Sequence, residues 1–197
     1  RAGSILWSLL ILICLAVSIH TMWRMHGSPA NRFDLLGYVF APVLACLAIG
    51  QTSVFVLLGL VLFLRFHSRK PLLAGMALSL CALKPHLFLP FAVALFAWIV
   101  TRKTYRILAG AAIGMGVCCV IPLIFDPSVW WQYAQSVRVS GIENEFRPDP
   151  GTILRFALDR SAMWIQFLPA LAACLWAIWY FRQHREDWDW QTHGVVL

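Results

Sequence analysis

One ionised side chain, Lys84, interrupts the apolar run over residues 71–100, where it stands in the tripeptide Lys84-Pro85-His86. A Lys or Arg at the centre of a membrane helix costs about 2.5–3.5 kcal/mol on insertion scales, so such a cation is functional by default. The adjoining Pro breaks the helix, which is tolerated at membrane depth only beside protein or a wet cavity. An ammonium, a helix break and an imidazole side by side suit an anionic group such as phosphate. Lys supplies a point charge, and His a hydrogen-bond donor or acceptor. The helix opening at Pro85 adds its positive dipole end. The competing reading has Lys84 snorkelling to the interface and His86 bonded to a backbone carbonyl. Gln51, at the Gly50-Gln51 break of the preceding run, can bridge an anion or a sugar hydroxyl, or can pair helices through its amide.

A second group of polar residues lies between 126 and 161. Asp126, Glu143, Glu145 and Asp149 include possible general bases or metal ligands, although a solvated loop carries such residues anyway. Arg138, Arg147 and Arg155 could clamp a phosphate, while Arg155 and Asp159 equally form an i,i+4 pair. The sequence has no Gly-rich phosphate loop, no metalloprotease motif and no local Ser/His/Asp signature. No cofactor is required by these residues, and a divalent metal stays open.

The elements that must position these residues are membrane helices. The 197-residue chain is 60% hydrophobic and only 13% charged, with a mean hydropathy of +0.73. Soluble domains carry about 25% charged residues, and several apolar runs here exceed the ~18 residues that nominate a span. The expected fold is all-α, a polytopic helical membrane protein with broken or hairpin helices and one structured extracytoplasmic loop. A single transmembrane domain over 1–197 is expected, with spans at about 5–19, 35–64, 71–101, 107–125 and 162–181. The second is broken at 50–51 and the third at 84–86. The outer loop covers 126–161.

The net charge of +7 sits in short basic clusters between spans. That is the signature of cytoplasmic loops, and it argues against a nucleic-acid partner. The six Cys fall inside apolar segments without metal-ligand or disulfide-framework spacing and read as packing residues. The chain opens at Arg1 without Met and reads as an internal fragment.

Placing all the basic loops inside requires each run of about 30 residues to start and end on the cytoplasmic side. One straight helix of that length would reach about 45 Å, too long for a core of about 30 Å. Two hairpins with tips at 50–51 and 84–86 satisfy the constraint; a long kinked helix at each position is the alternative. In the loop, Trp130, Trp131 and Tyr133 suit an interfacial helix. Pro148-Asp149-Pro150-Gly151 signals a turn, after which Thr152 can cap a helix carrying Arg155, Asp159 and Arg160.

The ordered set of Gly50-Gln51, a basic loop, Leu73-Ala74-Gly75-Met76-Ala77-Leu78, Leu83-Lys84-Pro85 and a second basic cluster resembles glycosyltransferase family 87. The segment Gly151-Thr152-Ile153-Leu154-Arg155 is similar to that family's as well. The resemblance spans about residues 41–181. The family belongs to the glycosyltransferase-C superfamily and includes polyprenol-phosphate-mannose-dependent mannosyltransferases.

The resemblance implies transfer of a sugar, mannose foremost, from a polyprenyl-phosphate donor to a lipid or glycan acceptor. The reaction would run on the extracytoplasmic side of a bacterial inner membrane. The family's motif positions map onto Gly50-Gln51 and Lys84-Pro85, and Gln51 and Lys84, with His86 and Arg155 from the reading of the residues, make up the expected binding site. The resemblance also implies a catalytic carboxylate in a first outer loop, which would precede Arg1. A secondary transporter, with its site at broken helices, is the alternative.

Overall fold

The computed structural model describes residues 2–28, 36–139, 149–194 and 196, and every regular element among them is helical. Four helices among the described residues are long and apolar enough to cross a bilayer: Gly3–Met25, Pro85–Arg102, Arg106–Phe125 and Met163–Gln183. The protein is a polytopic helical membrane protein. Ile5, Leu6 and Ile13 on the first of these helices, and Ile121 and Ile124 on the third, are exposed. Lipid tails solvate such side chains as well as a protein core would.

The chain forms two compact units, Arg1–Phe88 with Arg102–Met115, and Leu89–Thr101 with Gly116–Leu197. In the first, α1 (Ala2–Met25) packs on α4 (Ser53–Phe66). Ile11, Cys14 and Leu15 of α1 meet Val54 and Phe55 of α4 in a buried cluster. α1 continues six residues past the apolar stretch that ends at Ile19, because no helix breaker intervenes before Gly27. There the backbone turns left-handed, at φ 79°, and Ser28 N–H closes on the Trp23 carbonyl at 3.0 Å. Charge marks where lipid ends; the Gly marks where the helix ends.

The first long run contains α2 (Leu36–Val39), α3 (Ala41–Ile49) and α4. α3 stops at Gly50 in the left-handed region, φ 70°, with Gln51 N–H bonded to the Cys46 carbonyl at 2.9 Å. The second run contains α5 (Pro71–Leu78), a 3-10 turn (Ser79–Leu83) and α6 (Pro85–Arg102). Lys84 separates the last two with φ −140° and ψ 71°. Pro85 forbids its predecessor the helical region and then starts α6, where its missing N–H costs nothing. Both runs are therefore interrupted at 50–52 and at 84, beside the breaks expected from the sequence.

α4 and the α5–3-10 segment lie antiparallel. Cys81 Sγ approaches the Val56 carbonyl at 3.8 Å, and a Cβ on Gly59 would lie 2.8 Å from the Ala77 carbonyl oxygen. The basic loop at 67–70 closes one end of this pair, and Lys84 faces Ser53 at the other. α5 also meets α7 (Arg106–Phe125), backbone against backbone. A Cβ on Gly75 would lie 2.0 Å from the Ile107 carbonyl oxygen, and one on Gly110 would lie 2.0 Å from that of Leu72. Helices pack this closely in membranes only through small residues. None of the six Cys forms a disulfide.

In the second unit, α8 (Val129–Val139) and α9 (Pro150–Leu158) occupy described parts of the expected outer loop. Trp130 and Trp131 stand exposed on α8, and the Trp130 indole reaches back to the Cys119 carbonyl of α7 at 3.1 Å. α9 begins earlier than the sequence reading has it. Its cap is Asp149, which accepts from Thr152 N–H at 2.9 Å, with Pro150 as the first helical residue. Thr152 lies inside the helix because Asp149 offers the stronger acceptor and the Pro fixes the first turn. Glu143, Glu145, Arg147 and Pro148 lie outside the described residues. A further 3-10 turn (Met163–Phe167) leads into α10 (Leu168–Gln183).

Candidate functional site

Three of the sequence-selected residues, Gln51, Lys84 and His86, fall in the first unit, and two of them meet directly. Lys84 Nζ donates to Gln51 Oε1 at 3.2 Å and to Ser53 Oγ at 2.7 Å. The breaks at 50–52 and at 84 thus converge although more than thirty residues separate them. Lys84 itself is half-buried, and Gln51 is exposed.

The chemistry of this arrangement lies in what surrounds the ammonium. Two neutral oxygens take two of its three N–H donors, and no carboxylate among the described residues pairs with it. Neutral dipoles orient the cation without cancelling its charge, so among the described residues nothing compensates the positive charge or takes the third N–H. A Lys with a carboxylate beside it would have exchanged that charge for an ion pair. Ser53 is a partner of Lys84 in this cluster that reading the sequence missed. Its signal was its position, two residues after Gln51, at the first turn of the helix that opens after the break.

His86 is exposed at the second position of α6. It makes no side-chain hydrogen bond to a described residue and does not join the Lys84 cluster. Its place one residue beyond Pro85 keeps it on the same helix opening.

Arg155 belongs to the second unit. It is only 3% exposed. Its Nη1 donates to Met163 Sδ, and its guanidinium lies 5.2 Å from the centroid of the Phe156 ring. Arg160 approaches the same ring at 4.9 Å. α9 presses closely on the turn that follows it, where a Cβ on Gly151 would lie 2.0 Å from the Gln166 carbonyl oxygen. That approach explains why Arg155 is buried while carrying a charge.

The loop carboxylates among the described residues serve as local staples. Asp126 accepts from Ser128 Oγ at 2.6 Å and Ser128 N–H at 2.8 Å, and its other oxygen accepts from Gln132 at 2.9 Å. The Ser128 hydroxyl, then its backbone N–H, hold the Asp126 carboxyl below its usual range. The Ser161 hydroxyl, then the Ser161 N–H, do the same for Asp159. Both Asp149 oxygens are bonded to Thr152, at 2.9 and 2.7 Å. A carboxylate stabilised in its ionised form accepts a proton poorly, so Asp126 and Asp159 are weak general-base candidates. Among the described residues no group of three or more His, Cys, Asp or Glu side chains could hold a metal ion.

The family model of glycosyltransferase family 87 matches residues 1–197. No curated protein and no solved structure matches the chain.

Proposed function

The chain belongs to glycosyltransferase family 87, and we propose that it moves a sugar, mannose foremost, from a polyprenyl-phosphate donor to a lipid or glycan acceptor. Family and membrane helices together make it a membrane glycosyltransferase; donor, acceptor and orientation are our reading. The observation that carries it is the Lys84 ammonium, held by Gln51 and Ser53 with its charge uncompensated by any described carboxylate.

In the proposed reaction the acceptor hydroxyl loses its proton to a base, and its oxygen attacks the anomeric carbon. The bond from that carbon to the phosphate oxygen breaks, and the lipid phosphate departs with the electron pair. Charge builds on the departing phosphate, where a preorganised cation in a dry site acts most strongly. Lys84 supplies that cation, and Gln51 and His86 add hydrogen bonds at the same opening. Arg155 is proposed as a second phosphate contact. We assign no base within the chain.

We further propose that residues 1–197 act as one transmembrane domain, with the basic loops cytoplasmic and residues 126–161 outside. α4 has 14 residues and measures about 21 Å, against a hydrocarbon core of about 30 Å. A pair of such arms, closed by the basic loop at 67–70, would hold Lys84 within the membrane thickness on its outer side. A donor phosphate anchored by its own lipid tail can reach that depth, whereas a soluble nucleotide sugar would have no need of it.

Two experiments test the proposal. Purified protein should transfer labelled sugar from a polyprenyl-phosphate sugar and ignore the corresponding nucleotide sugar. Direct use of the nucleotide sugar would refute the mechanism, and accumulation of free sugar in vesicles would favour a transporter. Single Cys probes at Ser68 and Lys103, in a Cys-free background, should label from one side of the membrane, and a probe at Gln135 from the other. Labelling of Ser68 and Lys103 from opposite sides would overturn the orientation.

A further inference from the structure

We infer that Trp7 and Ser53 are positioning residues for Lys84, with Trp7 acting through the backbone of Gly50. The inference rests on the reading of Lys84 as the phosphate contact and adds the means by which the rest of the unit fixes it.

Trp7 of α1 donates its indole N–H to the Gly50 carbonyl at 3.0 Å, and its ring lies 5.5 Å from that of Phe55 on α4. The indole therefore touches both sides of the break, the carbonyl that ends α3 and the first turn of α4. Gly50 is required here twice over. Its φ of 70° favours a residue without Cβ, and a Cβ there would come within 3.2 Å of the indole nitrogen. Gln51 follows at once, its own N–H committed to the Cys46 carbonyl. With both the carbonyl and the N–H of the peptide group between Gly50 and Gln51 bonded, the turn has little freedom.

The turn's output is the pair of oxygens, Gln51 Oε1 and Ser53 Oγ, that hold the ammonium at 3.2 and 2.7 Å. A Lys side chain has four rotatable bonds and much rotamer freedom to lose. Binding an anion with a loose Lys would cost part of that ordering at every encounter. Ser53 and Gln51 remove the cost in advance, and Trp7 keeps their shared turn in register. Pinning of this kind raises affinity without changing the charge at the site.

The distinguishing experiment is a set of full kinetics with a polyprenyl-phosphate sugar as varied substrate, on the full chain in membranes. Trp7→Phe keeps an aromatic ring beside Phe55 and removes only the N–H donor; Ser53→Ala removes the shorter of the two Lys84 contacts. Each should raise the donor KM about tenfold while kcat stays within about twofold. Ser53→Thr, which retains the hydroxyl, should restore most of the affinity lost in Ser53→Ala. A merely structural defect would lower the amount of active enzyme, and hence kcat, and leave KM alone.

Wild-type donor KM in both Trp7→Phe and Ser53→Ala, beside an inactive Lys84→Gln, would overturn the positioning role and leave the phosphate reading standing. A fully active Lys84→Gln would remove the phosphate reading itself. If Trp7→Phe fails to accumulate in the membrane, the Ser53→Ala and Ser53→Thr pair decides the question alone.

Discussion

Lys84→Gln should insert and fold normally and yet lose sugar transfer by about a hundredfold or more. Insertion does not suffer because the variant deletes a charge that costs about 2.5–3.5 kcal/mol at the centre of a membrane helix. Gln at 84 can still donate to Ser53 Oγ or Gln51 Oε1, so the convergence of the two breaks need not collapse. What disappears is the positive charge that would meet the charge building on the departing phosphate, and loss of one preorganised electrostatic contact costs about 10²–10³ in rate. Arg at 84 should restore activity only in part, because its planar fork does not fit where a compact ammonium sits between two oxygens. His86→Ala should reduce activity too. A Lys that merely snorkels predicts the opposite order, with Arg fully tolerated and Gln nearly silent. Activity alongside membrane yield for the four proteins separates the two accounts.

Gly110→Ala should be among the most damaging single-methyl changes in the chain. The added carbon would lie 2.0 Å from the Leu72 carbonyl oxygen and 3.1 Å from Gly75 Cα. No rotamer change relieves a clash with backbone, so α5 and α7 must part along their contact. Overpacking ordinarily costs about 1–3 kcal/mol, and a backbone-to-backbone clash belongs at the upper end. Gly116→Ala on the same helix is the control, since nothing lies within 4 Å of its added Cβ and Ala is the better helix former by about 1 kcal/mol. Thermal unfolding in detergent should show a large drop for Gly110→Ala and an unchanged or raised midpoint for Gly116→Ala. Gly75→Ala combined with Gly110→Ala should cost less than the sum of the two, because both relieve the same approach.

Much of the helical layout could be read from apolar runs and breakers. Pro85 and the Gly50-Gln51 pair announce their interruptions because each removes an option from the backbone, a local effect. Helix α1 runs beyond the span read from the sequence for a physical reason: side-chain charge reports the lipid boundary, while helices end where a Gly or Pro allows it, here Gly27. The capping of α9 turned on a similarly small matter, the choice between Asp149 and Thr152 three residues later.

The candidate site was legible only in its charge. Lys84 stood out because a membrane cation is rare, whereas Ser53 is an ordinary helix-opening residue until Lys84 is seen to reach it. Trp7 lies inside an apolar run, and its link to Gly50 spans 43 residues, beyond any local pattern. The burial of Arg155 was not legible, because it goes with Gly151 lying against the Gln166 carbonyl, a tertiary contact. Gly75 and Gly110 carry no sign in the sequence of which helix they face.

The most direct measurement is equilibrium binding of polyprenyl phosphate, the product left when sugar departs, to the purified protein and to its Lys84→Gln variant. Polyprenol without phosphate serves as the reference ligand. The account predicts that the wild-type protein prefers the phosphorylated lipid strongly over the alcohol. In Lys84→Gln that preference should fall by at least tenfold, with alcohol binding unchanged. Equal preference in the two proteins would show that Lys84 does not hold the phosphate and would contradict the account.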